Sequence, residues 1–291
     1  MGATSNDRAC KSCGHVRSIA AYSAQQWIKG TGSSYCNGCV ANADGAKEGE
    51  PIDVSRDSKD AHRAAFDRGQ LQTPFAQGQF RWVASGKYID GGSMNGKKCV
   101  SKWFKTGATF ERTYFDLDIK AVDKAIELVA EFNEEEIVRG IIRVNRPAVW
   151  RFTDKCGPAW AGKKLLDEPY IHNYQRFNSN TGWSNTKFLW GKIMQALSHF
   201  SYHITGGKAM LVDLHGGVYP NGAILTNPVI LSADRSYGVT DLGPRGISSF
   251  FASHTCTVFC RRSWSKPTDT KRYYSSVETT TMEFLSKLSV G

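Results

Sequence analysis

The sequence predicts an α+β chain of two lobes, preceded by a small cysteine-rich module. Three observations predict it. Strand-like runs fill residues 75–105, paired around a glycine-containing turn. Two stretches, 116–136 and 186–202, carry apolar residues at helical spacing. From Ala209 to Cys260 an apolar run stops at Asp213, passes through glycine-rich turns and closes on His-x-Cys-x-x-x-Cys.

Composition sets the frame. With 291 residues and 41% hydrophobic content, the chain can fill one large domain or two unequal ones. No apolar run reaches the roughly 20 residues that span a bilayer, so no membrane partner is expected. MGATSNDRAC has no apolar signal core, which makes the cytoplasm or the nucleus the expected compartment. A formal charge of +10 suits nucleic acid, an acidic protein surface, a phosphate-rich ligand or a plain solvated surface. Lys and Arg are spread along the chain with no basic arm, which makes nucleic acid the less favoured partner. Six of the eight cysteines fall into three spaced pairs, and without a secretion signal such pairs read as metal sites rather than disulfides. Cys99 and Cys156 are left as small buried residues.

In chain order, residues 1–45 hold Cys10-x-x-Cys13 and Cys36-x-x-Cys39. Two such knuckles present four thiolates, a closed tetrahedral set for a structural Zn²⁺. Protein, RNA and DNA all remain open as its partner. Residues 46–72 are polar and charged and read as a linker, with a short helix near Ala61–Phe66. Order resumes at Pro74 with two strands around Asp90-Gly91-Gly92. Lys102 falls within the second strand, beside Val100 and Trp103. Pointing inward it needs an anionic partner, and pointing outward it needs none. The helix of 116–136 carries Ile119, Val122, Ile126, Val129 and Phe132 on one face. IIRVNRPAVWRF and KKLLDEPYI read as strands, and residues 177–183 as a turn-rich loop. The helix of 186–202 follows through Leu189, Ile193, Leu197 and Phe200. Residues 266–291 form a tail, irregular at first, then helical near Val277–Leu288.

The order of hairpin, lysine, long helix, strand, linker, helix and strand ending in Asp is that of a two-lobed phosphotransferase, in which a lysine holds phosphates and an aspartate faces the acceptor. The His-Arg-Asp and Asp-Phe-Gly signatures of ordinary protein kinases are absent.

Residues 73–265 carry, in order, FAQGQFR, CVSKWFK, EPYI, FNSNTG, QALSHFSYH, DLHG, LTNP, DLGPRG and SHTCTVFC. This series resembles the α-kinase family, the atypical Ser/Thr protein kinases that include the myosin heavy chain, elongation factor 2 and TRP-channel kinases. The resemblance implies the two-lobed atypical kinase fold and transfer of the ATP γ-phosphate to a protein Ser/Thr hydroxyl. It also implies that Gly78, Arg81 and Lys102, with the backbone of Glu168 and Tyr170, bind ATP. Asp213 then stands at the reacting centre, with Lys102 sharing the catalytic role. His215 and Asn227 fall at positions near the Mg²⁺, where the family has Gln and Asp. An imidazole and a neutral amide suit Mg²⁺ less well, which implies weaker metal binding, a Mn²⁺ preference or a domain that only binds. That last case, a weakened kinase serving as a zinc-dependent scaffold for protein or nucleic acid, is the alternative function. Asp241, Gly243 and Gly246 match the family's substrate loop, and equally suit a helix-entry turn. His254, Cys256 and Cys260 match zinc ligands. His199 is the fourth by motif, with His203 its rival on geometry.

Overall fold

A computed structural model of the chain describes residues 7–11, 14–22, 27, 30–34, 36, 64–66, 69–77, 81–89, 93–105 and 111–283. The strands are β1 (Asp7–Ala9), β2 (Val16–Ser18), β3 (Ala64–Phe66), β4 (Ala76–Gln77), β5 (Arg81–Tyr88), β6 (Lys98–Phe104), β7 (Ile141–Val144), β8 (Ala148–Arg151), β9 (Lys164–Pro169), β10 (Gln175–Arg176), β11 (Ala209–Val212), β12 (His215–Tyr219), β13 (Gly222–Leu225) and β14 (Val229–Ser232). The long helices are α1 (Glu111–Glu134), α2 (Leu189–Ile204) and α3 (Gly243–Ser253). They divide into two compact units, the smaller of Asp53–Lys120 with Asn145–Ile171, the larger of Met1–Ile52, Ala121–Val144 and His172–Gly291.

The smaller unit is an antiparallel sheet in the order β3-β5-β6-β9-β8, with β4 also on β5. The expected hairpin is its β5–β6 pair. β6 lies between β5 and β9, so both its edges are paired, and Cys99 through Trp103 are all buried. Register separates the two faces, since side chains alternate along a strand. One face carries Ala84, Trp103 and Leu165 and packs with Phe152, Trp150 and Trp160 into an aromatic core, Trp103 meeting Phe152 and Trp160 edge-on at 5.9 and 5.5 Å. The same face holds Tyr88 and Cys99, so the small-buried-residue expectation for Cys99 stands; Cys156 is half-buried beside the aromatic core. The other face carries Arg81, Lys102 and Glu168.

Two expectations fail here. Ala64–Phe66 is a strand rather than part of a short helix, because its backbone pairs with Gly86–Tyr88 at the edge of the sheet. The linker of 46–72 therefore ends in ordered structure, and its residues 46–63 lie outside those described. The first long helix begins at Glu111 rather than Asp116.

The larger unit combines a four-stranded sheet, β10-β12-β13-β7, with the antiparallel pair β11–β14. IIRVNRPAVWRF is thus two strands with different partners: β7 runs parallel to β13, while β8 pairs with β9 in the other unit's sheet. The core draws Leu128, Phe132, Met194, Leu197 and Phe200 from α1 and α2 onto Leu214, Leu225 and Ile230. Asn133 ties the end of α1 to β7, its amide donating to the Ile142 carbonyl at 2.8 Å and accepting from the Ile142 N–H at 3.0 Å. A second cluster joins Met210, Val212 and Leu231 to Phe250 and Phe251 of α3. The described part of residues 1–45 belongs to this unit, and Ala20 packs against its main core. Among the described residues no helix is long and apolar enough to cross a membrane.

The expected helix near Val277–Leu288 is a third correction. Residues 277–283 are irregular, with a bend at 278–279, rather than helical, since their backbone groups bond to Thr181, Asn180 and Val239 instead of to one another. Residues 284–288 lie outside those described.

Candidate active site and metal cluster

On β6, Lys102 is buried and its ammonium pairs with the Glu168 carboxylate. The register explains the pairing. Lys102 stands opposite Leu166 and Val100 opposite Glu168, so lysine and glutamate are diagonal neighbours on one face. Their side chains are 9% and 1% exposed, so each charge depends on the other. Arg81 lies on the same face, two residues before the Val83 that stands opposite Lys102, and pairs with Asp118 in the first half of α1. Burial, and then the Arg81 charge, pull the Lys102 ammonium below the ordinary lysine range. Two cations therefore share one side of the sheet, each held by a carboxylate. Glu168, read from the sequence for its backbone, is the partner that an inward Lys102 requires. Tyr170 follows β9, its N–H donating to the Lys98 carbonyl at 3.0 Å and its ring lying 5.6 Å from the Lys98 ammonium. Gly78 lies outside the described residues.

In the larger unit, β11 delivers Asp213 into a turn where its backbone is left-handed, at φ 55°. Asn227 is also left-handed, at φ 42°. Non-glycine residues in this region are uncommon and gather at functional sites, Asp and Asn tolerating it best. Asp213 is buried, and burial raises its carboxyl above the usual range, while Arg176 and Thr280 act to lower it. Arg176 on β10 donates to Asp213 Oδ1 at 2.9 Å. The Thr280 hydroxyl donates to Oδ2 at 2.7 Å. His215 Nδ1 stands 3.9 Å from the same Oδ2, and the His215 ring lies 5.5 Å from that of Tyr174. Asn227 follows Thr226, whose N–H donates to the His215 carbonyl at 3.1 Å, so backbone pairing brings the start of β12, at His215, beside the segment that leaves β13 toward Asn227.

The predicted substrate loop is internally bonded. Asp241 Oδ1 accepts from the N–H groups of Ser232 and Gly243, at 2.8 and 2.9 Å, and the carboxylate is fully buried. Gly243 has φ 64° and opens α3, and a Cβ there would stand 2.6 Å from Arg235 Cγ. At Gly246 a Cβ would meet Leu242 Cβ at 2.8 Å, so this glycine lets α3 lie close to its neighbours. These contacts form the entry turn of α3.

The four residues His199, His254, Cys256 and Cys260 place one ligand atom each within 4.8 Å of one another. Cys256 Sγ lies 3.6 Å from His199 Nδ1, and Cys260 Sγ 3.9 Å from His254 Nε2. Each imidazole is oriented by its other nitrogen. His199 Nε2 is 3.1 Å from the Ser265 carbonyl, and His254 Nδ1 is 3.2 Å from Gln195 Oε1. Outer partners of this kind fix the tautomer of a metal-binding histidine. Burial lowers the two imidazoles to about 4 and about 3, which keeps them neutral as ligands must be. His203, the rival, is instead engaged with Ser265, its Nδ1 3.1 Å from the Ser265 hydroxyl. Near the N-terminus, the Cys36 N–H donates to Cys10 Sγ at 3.2 Å, and both cysteines are buried with Tyr22. Cys13 and Cys39 lie outside the described residues.

Sequence reasoning missed Arg176 and Thr280. Arg176 immediately precedes the FNSNTG stretch, but nothing in its spacing links it to Asp213, 37 residues away.

The model of the Alpha-kinase family matches residues 76–260. The chain is 31% identical over 197 residues to α-protein kinase vwkA of Dictyostelium discoideum, a match covering 65% of this chain and 30% of the relative. It is 30% identical over 151 residues to eukaryotic elongation factor 2 kinase of Caenorhabditis elegans, covering 51% and 18%. The chain thus spans less than a third of the length of these relatives. Among solved structures, the inactive α-kinase domain of myosin-II heavy chain kinase A complexed with ATP superposes with a TM-score of 0.57 at 21% identity, covering 68% of this chain and 87% of that one. The same kinase domain in complex with AMPPCP gives 0.57 at 22% identity, covering 68% and 85%. These likenesses establish the fold, a mixed arrangement of helices and sheets shared with the α-kinase domain. With a family match over 76–260 that takes in Lys102, Glu168, Asp213 and the His/Cys cluster, this chain belongs to the α-kinase family.

Proposed function

We propose that the chain is an ATP-dependent Ser/Thr protein kinase that transfers the γ-phosphate to a protein hydroxyl. One observation carries this reading: Asp213, buried at a strand end in a left-handed turn, already holds a threonine hydroxyl 2.7 Å from Oδ2. That is the distance at which a carboxylate orients an acceptor and takes its proton. Arg81 and Lys102, on one face of their sheet, supply the two charges that a triphosphate would draw from Asp118 and Glu168. A bound Mg²⁺ or Mn²⁺ would supply charge neutralisation for the transferred group. Asp213 and Asn227 offer oxygen donors for it, and the His215 imidazole suits Mn²⁺ better than Mg²⁺. The His199/His254/Cys256/Cys260 set fits a closed, structural Zn²⁺ joining α2 to the segment after α3. Cys10 and Cys36, with Cys13 and Cys39, are proposed to hold a second.

The test is phosphate transfer from ATP to a Ser/Thr peptide library, with Mg²⁺ and Mn²⁺ compared. Asp213→Ala is expected to lower the rate by about 10²–10⁴-fold, the range for removing a proton-transfer group. His215→Gln with Asn227→Asp is expected to raise Mg²⁺-supported transfer. Transfer that survives Asp213→Ala sinks the reading. Wild-type protein that binds ATP without transferring phosphate would favour the scaffold alternative, for which the imidazole beside Asp213 is the supporting observation.

A further inference from the structure

The sheet of the smaller unit sorts its charges by face. Side chains alternate along a strand, and the register puts every Lys and Arg of β5, β6, β8 and β9 on one side: Arg81, Lys87, Lys98, Lys102, Arg151 and Lys164. The aromatic side carries a single carboxyl from these strands, Asp167, and it is fully buried. Burying a carboxylate costs stability, and these strands set no cation on its own face to offset that cost. The groups around it are neutral. From β6 the Ser101 hydroxyl donates to Asp167 Oδ2 at 3.0 Å. Burial raises the carboxyl to about 6, while Tyr88 of β5, with Ser101 and Cys99 of β6, acts to lower it. Burial, and then Asp167 itself, push the Cys99 thiol up, so it stays protonated. β8 contributes Ala148, directly opposite, and Trp150, packed edge-on against Tyr88; neither ionises.

Consecutive residues on two strands link this carboxyl to the charged side. Ser101 stands opposite Asp167 on one face, and the next residue of each strand, Lys102 and Glu168, form the ion pair on the other. On the ammonium's own side the charged groups are Glu168 on β9, Arg81 on β5 and Asp118 on α1. Burial, and then Arg81, pull that ammonium down to about 7, and Asp118 and Asp167 act against them. The effect is mutual, since Lys102 also favours the charged form of Asp167. Glu168 and a phosphate compete for the ammonium, because both need contact with it. Asp167 acts from behind the strand and competes with neither. We propose that Asp167 is a positioning residue for ATP binding: held behind the sheet by Ser101, it keeps the Lys102 ammonium charged when a phosphate draws Lys102 away from Glu168. The inference rests on the kinase reading above, which makes Lys102 a phosphate ligand. It also gives a use to a buried carboxyl that an apolar face would otherwise be better without.

The experiment measures ATP binding to the full chain by equilibrium dialysis across acid and alkaline pH at fixed Mg²⁺, with adenosine, which has no phosphate, as the control ligand. In wild type, ATP affinity is expected to fall as pH rises past the value at which Lys102 loses its proton. Asp167→Asn keeps an oxygen to accept from Ser101 but carries no charge. Losing that anion disfavours the ammonium, so the fall is expected to begin lower by about 0.5–1 pH. Well below pH 6, where wild-type Asp167 is itself protonated, the two chains are expected to bind ATP equally. Ser101→Ala keeps the charge and is expected to leave the fall where wild type has it. Adenosine affinity is expected to be the same in all three chains. Three results overturn the inference: a fall that does not move in Asp167→Asn, a Ser101→Ala chain that shifts as much as Asp167→Asn, or adenosine affinity that changes together with that of ATP. In each of these cases ATP still binds and the kinase reading stands. Absence of ATP binding at every pH removes both.

Discussion

The Lys102–Glu168 pair offers the sharpest test of how the smaller unit is held. Both side chains are out of water, 9% and 1% exposed, and β9 sets the glutamate diagonally across from the lysine. Removing one partner strands the other charge in a buried site, which costs about 3–5 kcal/mol. Glu168→Leu leaves an ammonium without its anion, and Lys102→Met leaves a carboxylate without its cation. Replacing both removes the unpaired charge, and buried pairs exchanged for apolar groups are often neutral in stability. The double variant Lys102→Met/Glu168→Leu is therefore expected to be more stable than either single one, with a coupling energy of about 2–3 kcal/mol, the upper range for residues in contact. A double-mutant cycle in urea, following tryptophan fluorescence, measures this directly, since Trp82, Trp103, Trp150 and Trp160 lie in the aromatic core of the same sheet. Additive single-variant effects, within about 0.5 kcal/mol, would refute the argument that each charge depends on the other.

Two further outcomes follow from the same physics. Metal analysis of the purified chain is expected to find zinc, with one equivalent lost in Cys256→Ser and in His199→Ala. A chelator is expected to lower Tm, because the four ligands come from α2 and the segment after α3. Unchanged zinc content in both variants would remove the cluster from consideration. The third outcome concerns Asp167, fully buried on the aromatic face of β9, where burial raises its carboxyl from the ordinary 3.8 to about 6. Between those values the folded state holds a proton that the unfolded state has released, so stability falls as pH rises through that window. Asp167→Asn cannot ionise and is expected to exceed wild type by up to about 3 kcal/mol at pH 7–8, the gap closing below pH 4. A gap that does not vary between pH 3 and pH 8 would show that the carboxyl titrates normally.

What could be read in advance follows the range of the interactions involved. Elements whose pattern is local, such as the β5–β6 hairpin and helices α1 and α2, were legible from periodicity alone. The clustering of His199, His254, Cys256 and Cys260 was legible because three of the four are close in sequence. Lys102 could be read only conditionally, as a residue needing an anion if it faced inward. Its partner lies 66 residues away and is fixed by the register of β9, which no single stretch encodes. Arg176 was invisible for the same reason. The helices expected near 61–66 and 277–288 are overturned within their described residues, 64–66 and 277–283. At Ala64–Phe66 sheet pairing prevails, and at 277–283 side chains and a backbone carbonyl from 176–181 and 239 satisfy the backbone instead.

The alternation along β6 has an evolutionary and engineering consequence. Even-numbered positions address the charged side, while odd-numbered positions serve the aromatic core, so substitutions can accumulate on one side without disturbing packing on the other. Deleting a single residue from Lys98–Phe104 is not tolerated in this way. Slipping the frame by one would bury the ammonium of Lys102 among tryptophans and turn Trp103 toward the guanidinium of Arg81, disrupting both sides of the sheet at once.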